Sequence, residues 1–262
     1  MRWNRRASGH SDSWRFGTIA ALLCPILLCA QTANPVVPNT PAAQAPVRTP
    51  VQPIPPAAPP QVVPPQVMID AAHGGTESGA ILNPAILEKD VTLLIALRLR
   101  QELNSRGIRC QLVREADATL ATDQRAAIVN AARPLLYLSI HATSQGNGMK
   151  IYSAMLPAGG DNHGPFVDWQ GGQSASLERS RWAQQQLVAA IQKMGFPVRS
   201  LTAQLRPLNN VTVPALAVEI APTTGQVSQL ATTDYQQMIA AAVASSIAPA
   251  IPSLRMKGGG AP

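Results

Sequence analysis

Apolar residues recur along this chain with two spacings, and the alternation between them predicts the fold. Continuous apolar runs such as Val67-Met68-Ile69, Leu135-Leu136-Tyr137-Leu138 and Ala215-Leu216-Ala217-Val218 read as strands buried on both faces. Over residues 88–106 the spacing changes: Val91, Leu94, Ile95, Leu97, Leu99 and Leu103 build one broad helical face, and Gly107 stops it. The same logic predicts strands at 67–70, 108–114, 148–154 and 215–220 and one ending at His141. Helices are expected near 122–132, over 174–194 before Gly195, and over the alanine-rich stretch 228–247. Such alternation predicts a single α/β domain with a central mixed, mostly parallel sheet flanked by helices on both faces.

Changes of composition set the limits of that domain. Arg2, Arg5, Arg6 and Arg15 precede an uncharged stretch from Phe16 to Ala30, so residues 1–30 read as an export signal, too short to span a bilayer comfortably. Leu28 and Ala30 fit cleavage after Ala30, while a leucine before each of Cys24 and Cys29 argues against lipid attachment. Stable membrane insertion is expected only if that signal stays uncleaved, and the destination is the periplasm or cell envelope. Residues 31–66 hold 12 of the 24 prolines and one charge, Arg48, which predicts a disordered, semi-stiff polyproline spacer. Residues 67–250 are then expected to form the one folded domain, and 251–262 a disordered tail.

Beyond the signal Cys110 is the remaining cysteine, so no internal disulfide is expected. Four of the 21 basic residues and one of the 14 acidic ones lie in the first 30, so the net charge of +7 falls to +4 for the remainder. A mild basic balance suits work beside an anionic cell wall. No Lys/Arg cluster or aromatic stacking platform accompanies it, and nucleic acid is not expected as a partner.

Chemistry enters where apolar runs meet small-residue turns. His73 follows Val67-Met68-Ile69-Asp70-Ala71-Ala72 and precedes Gly74-Gly75, His141 ends Leu138-Ser139-Ile140, and Glu88 opens the first long helix. Two imidazoles and a carboxylate are a ligand set for Zn2+ that leaves a coordination position open, the composition of a hydrolytic rather than a structural site. Glu219 ends the run Leu216-Ala217-Val218 and, buried there, needs a nearby cation; it is the candidate catalytic base. Each residue also has a plainer reading, as a rim histidine or a first-turn helix carboxylate. Asp70 and Glu77 are expected to shape the first loop, and His163 to be solvated.

Taken together, Ile69-Asp70-Ala71-Ala72-His73-Gly74-Gly75, Gly79-Ala80, Glu88-Lys89-Asp90-Val91, Arg125 with Asn130, Ser139-Ile140-His141-Ala142 and Pro214-Ala215-Leu216-Ala217-Val218-Glu219 resemble the zinc-dependent N-acetylmuramoyl-L-alanine amidases of bacterial cell walls. The resemblance runs from about residue 67 to about 247 and keeps the motif order. It implies that His73, Glu88 and His141 are the metal ligands and that Glu219 is the catalytic carboxylate. The implied substrate is peptidoglycan, cut at the amide between N-acetylmuramic acid and L-alanine of the stem peptide. A second reading is a wall-binding or scaffolding domain that keeps the metal site with little turnover, and a third is a zinc peptidase on another amide.

Three departures fall beside these motifs. Ala71-Ala72 replaces the family's usual Pro-Gly, Thr143 replaces an asparagine, and Ile220-Ala221-Pro222 replaces a glycine and an aromatic residue. They are expected to affect substrate choice and rate rather than the metal set. Some relatives carry after the second histidine an inserted helix whose glutamate plugs the zinc. Here residues 143–173 contain Gly146, Gly148, Gly159, Gly160, Gly164, Gly171 and Gly172 and no glutamate, which predicts a flap that brings Trp169 against a sugar ring and no plug from Asp161 or Asp168.

Overall fold

The computed structural model describes residues 63–156 and 171–258. In chain order the elements are β1 (Val67–Ala71), β2 (Ile81–Asn83), β3 (Ile86–Leu87), α1 (Glu88–Ser105), β4 (Cys110–Leu112), α2 (Thr122–Ala132), β5 (Leu136–Ala142) and β6 (Gly148–Ala154). After them come α3 (Leu177–Lys193), β7 (Val198–Ala203), β8 (Ala215–Ala221), α4 (Thr233–Ile247) and α5 (Ile251–Gly258). Six strands form one sheet in the order β4-β1-β5-β8-β6-β7, and β2 and β3 pair as a small separate hairpin. The strands β4, β1, β5 and β8 are parallel, β6 runs antiparallel to β8, and β7 is parallel to β6. The sheet is therefore mixed and mostly parallel, as the alternation of elements predicts.

Side-chain alternation divides the apolar residues between the two faces. Val67, Ile69, Leu138, Ile140, Leu216 and Val218 meet Val91, Ile95 and Leu99 of α1, Leu187 and Ile191 of α3, and Ile239, Val243 and Ile247 of α4. On the opposite face Met68, Tyr137, Ala215 and Ala217 pack under Ala126 and Val129 of α2 and under Leu208, Val211 and Val213 of the connection into β8. Each fully buried aliphatic side chain contributes about 1.5–3 kcal/mol. Parallel strands covered on both sides are uniformly apolar for this reason.

Four expectations change. The strand expected at 108–114 is confined to Cys110–Leu112. Residues 198–203 form β7, an edge strand whose side chains are mostly exposed and so carry no apolar pattern. The stretch expected to be a tail begins instead with α5, which buries Ile251 and Leu254 in the main core. Finally, the spacer ends before Pro65: Pro65 and Gln66 are buried, and Leu135 and Leu136 donate backbone hydrogen bonds to the Gln66 carbonyl. The signal region and the rest of the spacer lie outside the described residues.

Gly148 starts β6 with φ +76°, and a Cβ built there would lie 2.1 Å from the Pro197 carbonyl oxygen. Gly107, after α1, has φ +75° with nothing within 4 Å. Gly148→Ala should therefore cost more than Gly107→Ala, whose cost is left-handed strain alone, within about 1–3 kcal/mol. Urea unfolding of both variants checks this, and equal losses would refute the clash.

Candidate metal centre

The parallel strands β1, β5 and β8 finish at one edge of the sheet, and the candidate residues collect there. After β1 the chain turns back through three successive residues with positive φ: His73 (62°), Gly74 (135°) and Gly75 (60°). A left-handed histidine is uncommon and must be held by its surroundings. Two buried arginines do so. Arg114 Nε donates to the Ala71 carbonyl at 2.8 Å and Arg114 Nη2 to those of Ala72 and Lys89 at 3.2 and 2.8 Å. Arg125 donates to the carbonyls of Ala71 (2.9 Å) and His73 (2.6 Å) and pairs closely with the Asp70 carboxylate. Asp70 also accepts from Tyr137 OH at 2.8 Å; burial raises its carboxyl pKa, and Arg125 and Tyr137 oppose that rise.

Glu88 enters from the other side. It is the first residue of α1, whose leading amides are satisfied by the loop itself: Glu88 N donates to Ala80 O and Lys89 N to Ser78 O. In return the Ala80 N–H donates to Glu88 Oε2 at 2.9 Å, so loop and helix start are tied twice. The carboxylate then lies between the imidazoles, with His73 Nε2 at 3.2 Å from Oε2 and His141 Nδ1 at 3.0 Å from Oε1. Burial alone would raise the Glu88 pKa, yet hydrogen bonds from His141, His73 and Ala80 outweigh it and hold the carboxyl far below its usual range. The Glu88 contact in turn raises His73 against the effect of partial burial.

The three side chains offer ligand atoms that all lie within 4.8 Å of one another. Their spacing suits one small ion bonded at about 2.0–2.1 Å to nitrogen and oxygen. Outer contacts orient them: His73 Nδ1 is 3.0 Å from Glu77 Oε1, which aims Nε2 at Glu88. Gly79 leaves room, because with φ +67° a Cβ there would lie 2.5 Å from His73 Cδ2 and 2.7 Å from Glu88 Oε2.

Glu219 stands beside this group by strand register. It pairs with His141 across β5 and β8 and with Lys150 across β6, so all three side chains share one face. Lys150 Nζ makes a short hydrogen bond to Glu219 Oε1, and Tyr152 OH lies 3.4 Å from Oε2. The carboxylate beside it raises the Lys150 pKa. Sequence reasoning required a cation near Glu219 and had the metal in view; Lys150 supplies one directly. Its signal was available: in Gly148-Met149-Lys150-Ile151-Tyr152 the polar residue falls on the face that Glu219 occupies.

The remaining candidate residues go elsewhere. Arg125 holds the backbone beneath His73, and Asn130 fastens α2 to the connection before β8 through Asn210 O and Thr212 N. Asp70 and Glu77 do shape the first loop, one from below through Arg125 and one through the His73 ring. His163, Asp161, Asp168 and Trp169 lie outside the described residues. Met155 N donates to Ala203 O, and Gln173 Nε2 donates to Val211 O and Val213 O.

Arg125→Met would leave the buried Asp70 carboxylate without its cation and the turn without a clamp. It should lower unfolding stability by about 3–5 kcal/mol, the range for breaking a buried ion pair. Chemical denaturation measures it, and a loss under about 1 kcal/mol would refute the clamp.

Residues 67–249 match the N-acetylmuramoyl-L-alanine amidase family. The endolysin of Bacillus phage SPP1 is 30% identical over 157 residues, 58% of this chain and 53% of the phage protein, so the match spans about half of that relative. Among solved structures, the catalytic domain of CwlV from Bacillus (Paenibacillus) polymyxa var. colistinus shares the fold, with a TM-score of 0.56 at 23% identity over 71% of this chain and 97% of that one. AmiC2 of Nostoc punctiforme superposes with a TM-score of 0.53 at 26% identity over 71% of this chain and 96% of its own. Together with the motif order along the sheet edge, the extent of the family match makes this chain a member of the zinc-dependent N-acetylmuramoyl-L-alanine amidase family.

Proposed function

We propose that the protein is an exported N-acetylmuramoyl-L-alanine amidase that uses zinc to hydrolyse the amide between the lactyl group of N-acetylmuramic acid and L-alanine of the peptidoglycan stem peptide. The observation that carries this reading is the convergence of His73, Glu88 and His141, with Glu219 in register beside His141. The donor chemistry fits zinc: two imidazoles and one carboxylate leave net positive charge and an open position. When bound, zinc supplies a Lewis acid that polarises the scissile carbonyl and makes water easier to deprotonate.

The chain's own groups do the remainder. Glu219 takes a proton from the attacking water and returns it to the amine of the departing L-alanine, an exchange that needs an ionised carboxylate at the start. Lys150 fixes the direction of the carboxylate through the Oε1 contact. Glu77 keeps the His73 ring turned, and Arg125 and Arg114 keep its backbone in place. Export to the envelope follows from the substrate, and the basic, hydrophobic opening of the sequence supports it.

Metal analysis of the purified chain should find one zinc per molecule, removed by chelation and lost in His73→Ala, Glu88→Ala or His141→Ala. A zinc-free wild-type protein that still releases peptide would refute the assignment. Glu219→Gln should keep its zinc and lower the rate of peptide release from purified muropeptides about 100-fold or more, read by mass spectrometry. Loss of zinc in that variant would make Glu219 a ligand instead. Zinc binding without peptide release by the wild type would favour a wall-binding domain.

A further inference from the structure

One row of residues crosses four strands on the same face: His141 in β5, Glu219 in β8, Lys150 in β6 and Arg199 in β7. The first two belong to the candidate active site, and Glu219 neutralises Lys150. Arg199 is exposed on the edge strand and has no acidic partner among the described residues. Lys150 and Arg199 line one groove with Gly146, Asn147, Pro197 and Val198, at the edge of the sheet where Glu219 lies. The groove thus keeps an uncompensated positive charge next to the reaction centre.

Its distance from Glu219 fits a peptide. Neighbouring strands are about 4.8 Å apart, so Arg199 lies roughly 10 Å along the sheet from Glu219, and an extended chain covers that in about three residues at ~3.3 Å each. A guanidinium binds a carboxylate with two parallel hydrogen bonds, a geometry that an amide cannot match in charge.

We propose that Arg199, with Lys150 beside it, forms an anion subsite that selects substrates whose leaving peptide carries a free carboxylate close to the cleaved bond, an acidic peptide in preference to its amidated form. The inference rests on the amidase reading for which side of the bond faces the groove. Lys150 therefore has two neighbours to serve, the carboxylate of Glu219 and that of the substrate, and Arg199 supplies the charge that the first leaves unavailable.

The test measures binding without turnover. The full chain is titrated by NMR with two short peptides that begin with L-alanine and carry within the first three residues either a free carboxylate or its carboxamide. The acid should bind about tenfold more tightly, the worth of one charged hydrogen-bonded contact. Arg199→Gln should bring the acid to the affinity of the amide, and Arg199→Lys should restore part of the difference. Equal affinity of the wild type for both peptides overturns the subsite, and so does a preference that survives Arg199→Gln. A preference that depends on Arg199, in a chain that releases no peptide from muropeptides, upholds the subsite and rejects the amidase reading.

Discussion

Two guanidinium groups under the end of β1 decide where this chain can turn. Arg114 and Arg125 are buried, and each gives two of its hydrogen bonds to backbone carbonyls of the segment from Ala71 to His73. Buried cations are tolerated only when so satisfied, and the carbonyls at the end of an inner strand would otherwise lack partners. The arrangement solves both problems at once. It also holds His73 in a left-handed conformation that an isolated peptide would seldom visit, which sets the ring against Glu88. The precision of the site therefore derives from packing beneath it.

The strands that carry the site were legible because they are buried on both faces. Val67-Met68-Ile69, Leu136-Tyr137-Leu138 and Ala215-Leu216-Ala217-Val218 have no polar interruption, and His73, His141 and Glu219 follow them within four residues. Residues 198–203 lacked any such sign, since an edge strand with exposed side chains reads as a loop. Residues 251–258 misled for another reason: Pro252 and the glycines beyond suggest a tail, while Ile251 and Leu254 alone bring the helix into the core. Glu88 was legible by its position at a helix start, whereas the reciprocal ties between Ala80 and Glu88 depend on the path of a loop that no periodicity encodes.

Strand register does for Glu219 what the arginines do for His73. Pairing with period two puts His141, Glu219 and Lys150 on one face, and a slip of a single residue in β8 would send Glu219 into the apolar layer beneath α1 and α4. The continuous apolar run of β8 resists that slip poorly by itself, because both faces accept alanine and valine. Contacts specific to one register, between Glu219 and Lys150 and between Glu219 and Tyr152, discriminate against it. The same ion pair thus serves strand alignment and the orientation of the carboxylate.

The reversed direction of β6 has a consequence for who can reach the centre. This strand begins beside Glu219 and runs for seven residues to the far rim, roughly 20 Å from end to end at about 3.3 Å per residue. Among the described residues the near rim around the centre is formed by short connections, residues 74–79, 143–147 and 222–226, too brief to hold a helix of their own. In such a design the width of the entrance, as far as the described residues set it, is decided by loops short enough to be moved by whatever leans on them.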